Sequence, residues 1–343
     1  MSIEQETMDL SFFNQLLSFD STSGKEREVA EWLLEALPGL FPAAVRPVVE
    51  RQEVGDGTLN LLFTWGQPQV VFCSHLDTVP PYIPPTFTDK EVRGRGSCDA
   101  KGQVFAMLQA CLRLAKAGCS GFGLLLLAGE ETGSWGAKAF AKTAFRAPYL
   151  IVGEPTEGLP VSACKGTKSY GLRFLGEAFH SGYPQYGSSA VNGFISFVNQ
   201  LKAKQFPIDP VLGETTWNIG ELRSDNPQNI LAPELTCRLY FRTTFASDAE
   251  VQAWMAAAPE LVDGLEVTPR GGDTPARYLV PQGFPSAPVS FGTDAPHLTN
   301  FREKVIFGPG SVRFAHRPDE HLLLADLSAA IDTHVALFHS LAD

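Results

Sequence analysis

No CxxC pair occurs among the six cysteines of this sequence, Cys73, Cys98, Cys111, Cys119, Cys164 and Cys237. Several sit in apolar surroundings, as in Val71-Phe72-Cys73, so buried reduced thiols in a reducing compartment are expected. No apolar run approaches the ~18 residues of a membrane span, which argues against a transmembrane helix. A concentrated basic run is also missing, and the formal net charge is −11. A binder of the phosphate backbone needs a Lys/Arg surface, so no nucleic acid partner is expected. Met1–Leu10 carries Glu4, Glu6 and Asp9 in place of a basic start and an apolar stretch, and does not read as a signal peptide. Internal repeats and low-complexity tracts are absent. A soluble cytoplasmic protein is the resulting expectation.

What is present is ordinary globular composition over 343 residues, 44% hydrophobic and 19% charged, enough for two domains or one large domain with an insertion. Ser23-Gly24-Lys25-Glu26 reads as a capping box ahead of a helix carrying Val29, Leu33 and Leu37, which Pro38-Gly39 ends. Leu59–Thr64, Val70–Cys73, Leu124–Ala128 and Tyr149–Val152 read as buried strands, and Lys101–Ala117 as an amphipathic helix between them. Such alternation predicts an α/β layer with a mainly parallel sheet flanked by helices. After Lys165 the texture changes. Strands at Tyr170–Phe174, Trp217–Gly220 and Leu235–Thr243, with helices at Ala190–Lys202 and Asp248–Leu261, give a βαββαβ-like α+β (ferredoxin-like) unit. Past Gly271 the first pattern resumes and ends in a helix from about Leu324 to Leu341. The predicted division is therefore 1–164 with 272–343, interrupted by 165–271.

Five segments place acidic or His side chains just after an apolar strand, where ligands bind in open α/β sheets. They are Ser74-His75-Leu76-Asp77-Thr78, Gly94 to Gly102 around Asp99, Gly129-Glu130-Glu131-Thr132-Gly133, Gly153-Glu154-Pro155-Thr156, and Gly308-Pro309-Gly310 leading to Ala315-His316-Arg317-Pro318-Asp319-Glu320. In an extended His-x-Asp, Asp77 can orient His75. The Gly94–Gly102 loop fails the dinucleotide pattern because Asp99 stands at the third glycine position, where it would repel a pyrophosphate but could bridge two cations. Adjacent Glu130 and Glu131, if buried, need a cation or proton between them. Each segment also has an ordinary alternative: a core His75 beside a capping Asp77, Asp99 capping a helix, a solvated glutamate turn. Asp319 and Glu320 read as orienting the His316 loop or capping the last helix. Five such coincidences at strand ends do not arise independently. Mixed His and carboxylate donors suit zinc, with cobalt or manganese able to substitute.

Together the motifs SHLDTVP, GRGSCDAKG, GEET, VGEPT and GPG followed by AHRPDE resemble the di-zinc metallopeptidase family of acetylornithine deacetylase, succinyl-diaminopimelate desuccinylase and glutamate carboxypeptidase. The resemblance runs from the first helix to the last and is nearest the acetylornithine deacetylase branch around Phe291-Gly292-Thr293-Asp294-Ala295-Pro296. It implies a zinc-peptidase-like catalytic domain with an inserted lid and dimerisation domain, two Zn2+ and a homodimer. By position it implies that His75 and Glu154 hold one metal, Glu131 and His316 the other, and Asp99 both. Asp77 would orient His75, Glu130 would be the general base, and the Asp99–Ala100 peptide would be cis. His180 matches a lid His that stabilises an oxyanion in the partner subunit's site. Asn229, Arg242, Gly292 and Thr293 match residues facing the substrate, with Arg242 on its free carboxylate. One departure is Gly182-Tyr183 after the lid His, where many relatives have Ser-Arg. His297, His321, His334 and His339 match nothing catalytic and read as surface or packing residues.

The implied reaction is removal of an acyl group, acetyl above all, from a small-molecule N-acyl amino acid such as N-acetylornithine. The same site would also serve a dipeptidase or carboxypeptidase, or a hydrolase releasing lysine or ornithine from an amino-group carrier protein. A non-catalytic relative would have lost ligands or base, and none is lost.

Overall fold

The computed structural model describes residues 9–342; the reading of the acidic start at Glu4 and Glu6 lies outside them. Two compact units divide the chain. The first runs to Ser162 and resumes with Tyr278–Ala287 and from Thr293 onward; the second holds Ala163–Arg277 and Pro288–Gly292. The division differs from the sequence reading because a short strand, Val161–Cys164, straddles the entry point and its Cys164 pairs with Ala276 on the way out, so the second unit keeps residues up to Arg277.

The first unit begins with α1 (Ser11–Ser18), α2 (Arg27–Ala36), β1 (Val48–Val54), β2 (Thr58–Trp65) and β3 (Val70–His75). It continues with β4 (Thr86–Phe87), β5 (Glu91–Arg93), α3 (Lys101–Lys116), β6 (Phe122–Leu127), α4 (Trp135–Phe140), β7 (Ala147–Val152) and β8 (Val161–Cys164). The second unit supplies β9 (Gly166–Leu175), α5 (Ala190–Ala203), β10 (Thr216–Arg223), β11 (Glu234–Thr243), α6 (Asp248–Leu261), β12 (Leu265–Pro269), β13 (Ala276–Arg277) and the exit strand β14 (Ala287–Val289). The chain then returns with β15 (Phe301–Ile306), β16 (His321–Leu323) and α7 (Leu324–Ala342).

A six-stranded sheet of order β1-β2-β6-β3-β7-β15 forms the first unit's centre. Its β6-β3-β7-β15 pairings are parallel and its β1-β2 and β2-β6 pairings antiparallel, so only β2 runs against the rest. Central strands β3 and β6 are buried along their whole length, which explains their apolar runs VVFC and FGLLLL. Edge strand β1, VVERQEV, is charged and mostly exposed, so it gives no apolar signal in the sequence. On α3 twelve residues are buried, and Phe105 stacks on Phe13 of α1 with ring centroids 4.7 Å apart. The buried positions of α7, Leu327, Ala330, Ile331, His334, Leu337, Phe338 and Leu341, recur at helical spacing.

The second unit is a four-stranded antiparallel sheet of order β10-β11-β9-β12 in the chain order βαββαβ, the ferredoxin-like arrangement expected. In β11 burial alternates residue by residue, as a sheet covered on one face requires. Phe174, Phe197, Leu239, Phe241, Val251 and Met255 are among the residues of a core separate from the first unit's. Among the described residues no helix is long and apolar enough to cross a membrane. No disulfide is seen among the described residues, and all the cysteines but half-buried Cys119 are buried.

The capping box does not form. Helix α2 starts at Arg27 with no side-chain cap. Ser23 Oγ instead donates to Asp77 Oδ2 at 2.8 Å, and Glu26 accepts the Gly24 N–H at 2.8 Å and the Gly129 N–H at 3.2 Å. Both side chains are drawn to partners outside the helix.

Candidate active site

Four adjacent parallel strands deliver the chemistry-bearing loops to one edge of the sheet. His75 is the last residue of β3; Glu130 and Glu131 follow β6; Glu154 follows β7; His316 lies in the loop after β15. The fifth candidate donor, Asp99, stands just before α3 in the loop that leaves β5. Among the described residues, His75, Asp99 and Glu131 form the one group of His, Cys or carboxylate side chains whose donor atoms all fall within 4.8 Å of one another.

The Asp99 carboxylate lies between the two imidazoles. Its Oδ1 is 3.2 Å from His75 Nε2 and its Oδ2 is 3.4 Å from His316 Nε2. The same His316 nitrogen is 2.9 Å from Glu131 Oε1. Asp99 does not cap α3, whose N-cap is Ala100 without a side-chain hydrogen bond, so the ordinary explanation for Asp99 fails. The Asp99–Ala100 peptide is cis. Glu154 is buried, and both it and His316 lie outside the 4.8 Å group.

Around these donors the loops are pinned by groups that the sequence reading only partly named. His75 Nδ1 is 2.9 Å from the Asp77 carbonyl oxygen and 3.3 Å from its carboxylate, so the main chain is the nearer orienting group. Besides the Ser23 hydroxyl, the Asp77 carboxylate accepts the N–H groups of Glu130, at 3.0 Å, and Glu131, at 3.1 Å. Thr156 Oγ1 accepts the Gly308 N–H at 3.0 Å, and Gln103 Nε2 donates to the carbonyls of Cys98 and Pro309 at 2.8 and 2.9 Å. Close approach explains one glycine: a Cβ at Gly102 would stand 2.1 Å from the Ser97 carbonyl oxygen. Ser23, Glu26, Thr156 and Gln103 were missed because their roles depend on which loops meet. The SGKE and VGEPT motifs were the available signal.

The model of peptidase family M20/M25/M40 matches residues 71–340. The chain belongs to that family. A peptidase M20 domain-containing protein of Schizosaccharomyces pombe is 31% identical over 331 residues, covering 93% of this chain and 81% of that protein. A probable carboxypeptidase of Aspergillus flavus is 31% identical over 364 residues, covering 94% and 85%. In fold the chain is similar to a tripeptidase of Staphylococcus aureus, with a TM-score of 0.79, 20% identity and coverage of 97% and 98%. It is also similar to human carnosine dipeptidase 1, with a TM-score of 0.72, 13% identity and coverage of 97% and 95%. The protein is thus a metallopeptidase-family hydrolase, and enzymes of this family typically depend on a pair of metal ions.

The donors of this M20 peptidase fit such ions. Burial first, then the charges of Asp99 and Glu130, raises the Glu154 carboxyl well above its usual range. Burial likewise raises Glu130, with Asp294, Glu131 and Asp99 adding to it against the pull of His75. Carboxylates crowded into so dry a space mark a site built for positive charge. Hydrogen bonds to Asp99 and Glu131 push His316 up to about 10. Burial opposes a charge on His75, yet its bonds to Asp77 and Asp99 prevail and raise it as well. An imidazole that binds a metal gives up such a proton, so metal binding at either histidine should release protons.

Within the second unit, His180 and Asn229 are exposed neighbours: the Ser181 N–H donates to the Asn229 carbonyl at 2.9 Å, and His180 bridges to Ile230. Arg242 lies 5.0 Å over the Tyr240 ring, and its Nη1 is 3.9 Å from where a Gly292 Cβ would be. Thr293 belongs to the first unit, is buried, and accepts the Ala295 N–H at 3.1 Å. Of the remaining histidines, His334 is a core residue and His321 packs on Phe314.

Proposed function

We propose that this protein hydrolyses the amide bond next to a free carboxylate, releasing an amino acid from its N-acyl derivative. The observation that carries the reading is the Asp99 carboxylate, one oxygen turned to His75 at 3.2 Å and the other to His316 at 3.4 Å. In this reading His75 and Glu154 would hold one Zn2+, Glu131 and His316 the other, and Asp99 would serve both; residues 165–271 would form the lid of a homodimer. A bound pair of divalent ions lowers the pKa of a water and polarises the scissile carbonyl. Glu130, whose carboxyl burial raises well above its usual range, takes a proton from the water that attacks the acyl carbon and passes it to the amine nitrogen as the C–N bond breaks. Asp77 keeps Glu130 and Glu131 aligned through their backbone N–H groups. His180, from a second copy, donates to the developing oxyanion, and Arg242 forks the substrate carboxylate, with Asn229, Gly292 and Thr293 lining its side chain.

An N-acetyl amino acid such as N-acetylornithine is the first substrate to try, on the likeness of the FGTDAP and AHRPDE segments to the deacetylase branch. A second reading, release of a C-terminal residue from a short peptide, is supported by relatives named probable carboxypeptidases. Both share the amide and the free carboxylate and differ in the acyl side; the amino-group carrier protein is a longer version of the second. The test is amino-acid release from N-acetyl amino acids, dipeptides, tripeptides and their C-terminal amides, with zinc or cobalt added. Acids should be cleaved and amides spared; equal cleavage of the amides would remove the role of Arg242. Glu130→Gln should keep its metals and lose about 10²–10⁴ in kcat, and a variant near the wild-type rate would remove Glu130 as proton carrier.

A further inference from the structure

The first unit contains an ion pair that the chemistry above does not use. Glu320 and Arg95 are both almost wholly buried, at 1% and 2% exposure, and their side chains meet at 2.5 Å. Burying two charges costs several kcal/mol per ion before their attraction is counted, and apolar replacements are often as stable. Stability alone therefore gives little reason for such a pair here.

Its remaining contacts supply the reason. Glu320 Oε1 accepts three backbone N–H groups, those of Gly96 at 3.0 Å, Cys98 at 3.1 Å and Asp99 at 3.1 Å. These amides belong to a loop with no ladder to satisfy them, and buried amides require an acceptor. From the other carboxylate oxygen the contact passes to Arg95. Its guanidinium reaches the carbonyls of Arg317 at 3.4 Å and His316 at 3.5 Å, and of Pro81 at 3.3 Å. His316 has φ = +65°, a conformation that side-chain-bearing residues adopt only when neighbours hold them. The register of β16 on β5, with His321 opposite Arg93, sets Glu320 beside Gly94, whose N–H donates to the Glu320 carbonyl at 3.1 Å. One carboxylate thus ties the Asp99 loop to the His316 loop, from segments 221 residues apart in sequence.

We propose that Glu320 and Arg95 form a positioning clamp that sets the distance between two metal donors, Asp99 through three backbone amides and His316 through the Arg95 guanidinium. The clamp rests on the reading of Asp99 and His316 as donors to a shared pair of ions. Neither clamp residue touches the substrate or the ions. Its loss should spread the donors and weaken metal binding without unfolding the sheet.

The test is a titration of the metal-stripped full chain with Zn2+ against a chromophoric chelator, together with the visible absorption of the Co2+ form. Wild type should take up two ions. Glu320→Gln should bind them roughly 10–100-fold more weakly, the usual range for groups that orient metal ligands, and shift the Co2+ bands. Because Glu320→Gln strands a buried guanidinium and could fail to fold, the double variant Arg95→Met/Glu320→Gln, which leaves no lone charge, is measured beside it. The double variant should show the same loss of affinity with an unchanged far-ultraviolet circular dichroism spectrum. Wild-type affinity and Co2+ spectrum in the folded double variant would overturn the clamp, as would a lowered melting temperature with unaltered affinity. A wild-type chain that binds no divalent ion would overturn the metal reading of the site itself, so the two failures are told apart.

Discussion

His334 shows how much a single buried ring can set the response to acid. It lies wholly inside α7's buried face, with the rings of Phe72 and Phe307 at 5.6 and 4.9 Å and no hydrogen-bond partner for either nitrogen among the described residues. Burial pushes its pKa down to about 3. An unfolded histidine titrates near 6.5, so between about pH 6.5 and 3 the unfolded chain binds the extra proton. Its contribution to stability is therefore full above pH 6.5 and is lost at about 1.4 kcal/mol per pH unit as the pH falls through that window. Replacing His334 by Leu should flatten the dependence. Urea midpoints at pH 8, 6 and 5 should diverge between the two proteins towards acid, and parallel curves would show that His334 is not the group responsible. The sequence left His334 as a surface or packing residue; its burial on α7, between Ile331 and Leu337, makes it a packing one. The roles of Ser23, Glu26 and Gln103 were not legible there, since their partners Asp77, Gly129 and Pro309 lie in loops remote in sequence.

At the scale of elements, two helical glycines are predicted to respond oppositely to the same change. Gly→Ala within a helix ordinarily stabilises by roughly 0.5–1 kcal/mol. Gly193 in α5 has only ordinary neighbours for a new Cβ, Val262 at 3.5 Å and Phe174 at 3.6 Å, so Gly193→Ala should follow that rule. Gly102 in α3 would place its Cβ 2.1 Å from the Ser97 carbonyl oxygen and 2.9 Å from Leu322, so Gly102→Ala should destabilise by about 1–3 kcal/mol. Denaturant midpoints of both variants decide the matter, and a stabilised Gly102→Ala would mean the loop yields freely. Element identity was legible wherever burial was one-sided or complete, as in β3, β6, α3 and β11. Strands β4, β5 and β16 span two or three residues, too few for a period to register, and β1 carries charges on an exposed edge. Yet β5 and β16 hold the Asp99 and His316 loops together, so the least visible strands matter most to the site.

For the molecule as a whole, the five proposed metal donors all lie in one unit, while the other has a core of its own. Metal should therefore stabilise the two units unequally. Free Zn2+ at a hundred times its dissociation constant adds about 2.7 kcal/mol to the state that binds it, or roughly 5–10 °C for a unit of this size. Calorimetry with and without a chelator should show one transition that moves and one that does not. Two unmoved transitions would contradict the metal site, and two that move equally would contradict the independence of the second unit. The βαββαβ-like order was readable from strand and helix texture, although the closing strand Leu265–Pro269 was not picked out. The extra residues 272–277 and 288–292 were not, because they join the second unit through pairings to β8 and to Lys165 that only the folded chain reveals.

Those pairings bear on how quickly the chain can reach its native topology. Strand β15 must find β7, setting Val305 beside Ile151 across the whole intervening segment. Once the second unit has folded, Cys164 and Ala276 lie side by side, and beyond them the Tyr278 N–H donates to the Ser162 carbonyl at 3.2 Å. The search for the sixth strand then runs over a short tether rather than a long flexible one. The entropy of closing that loop is spent inside the insertion, where antiparallel strands recover it first. A folded insertion thereby shortens the loop that β15 closes on β7.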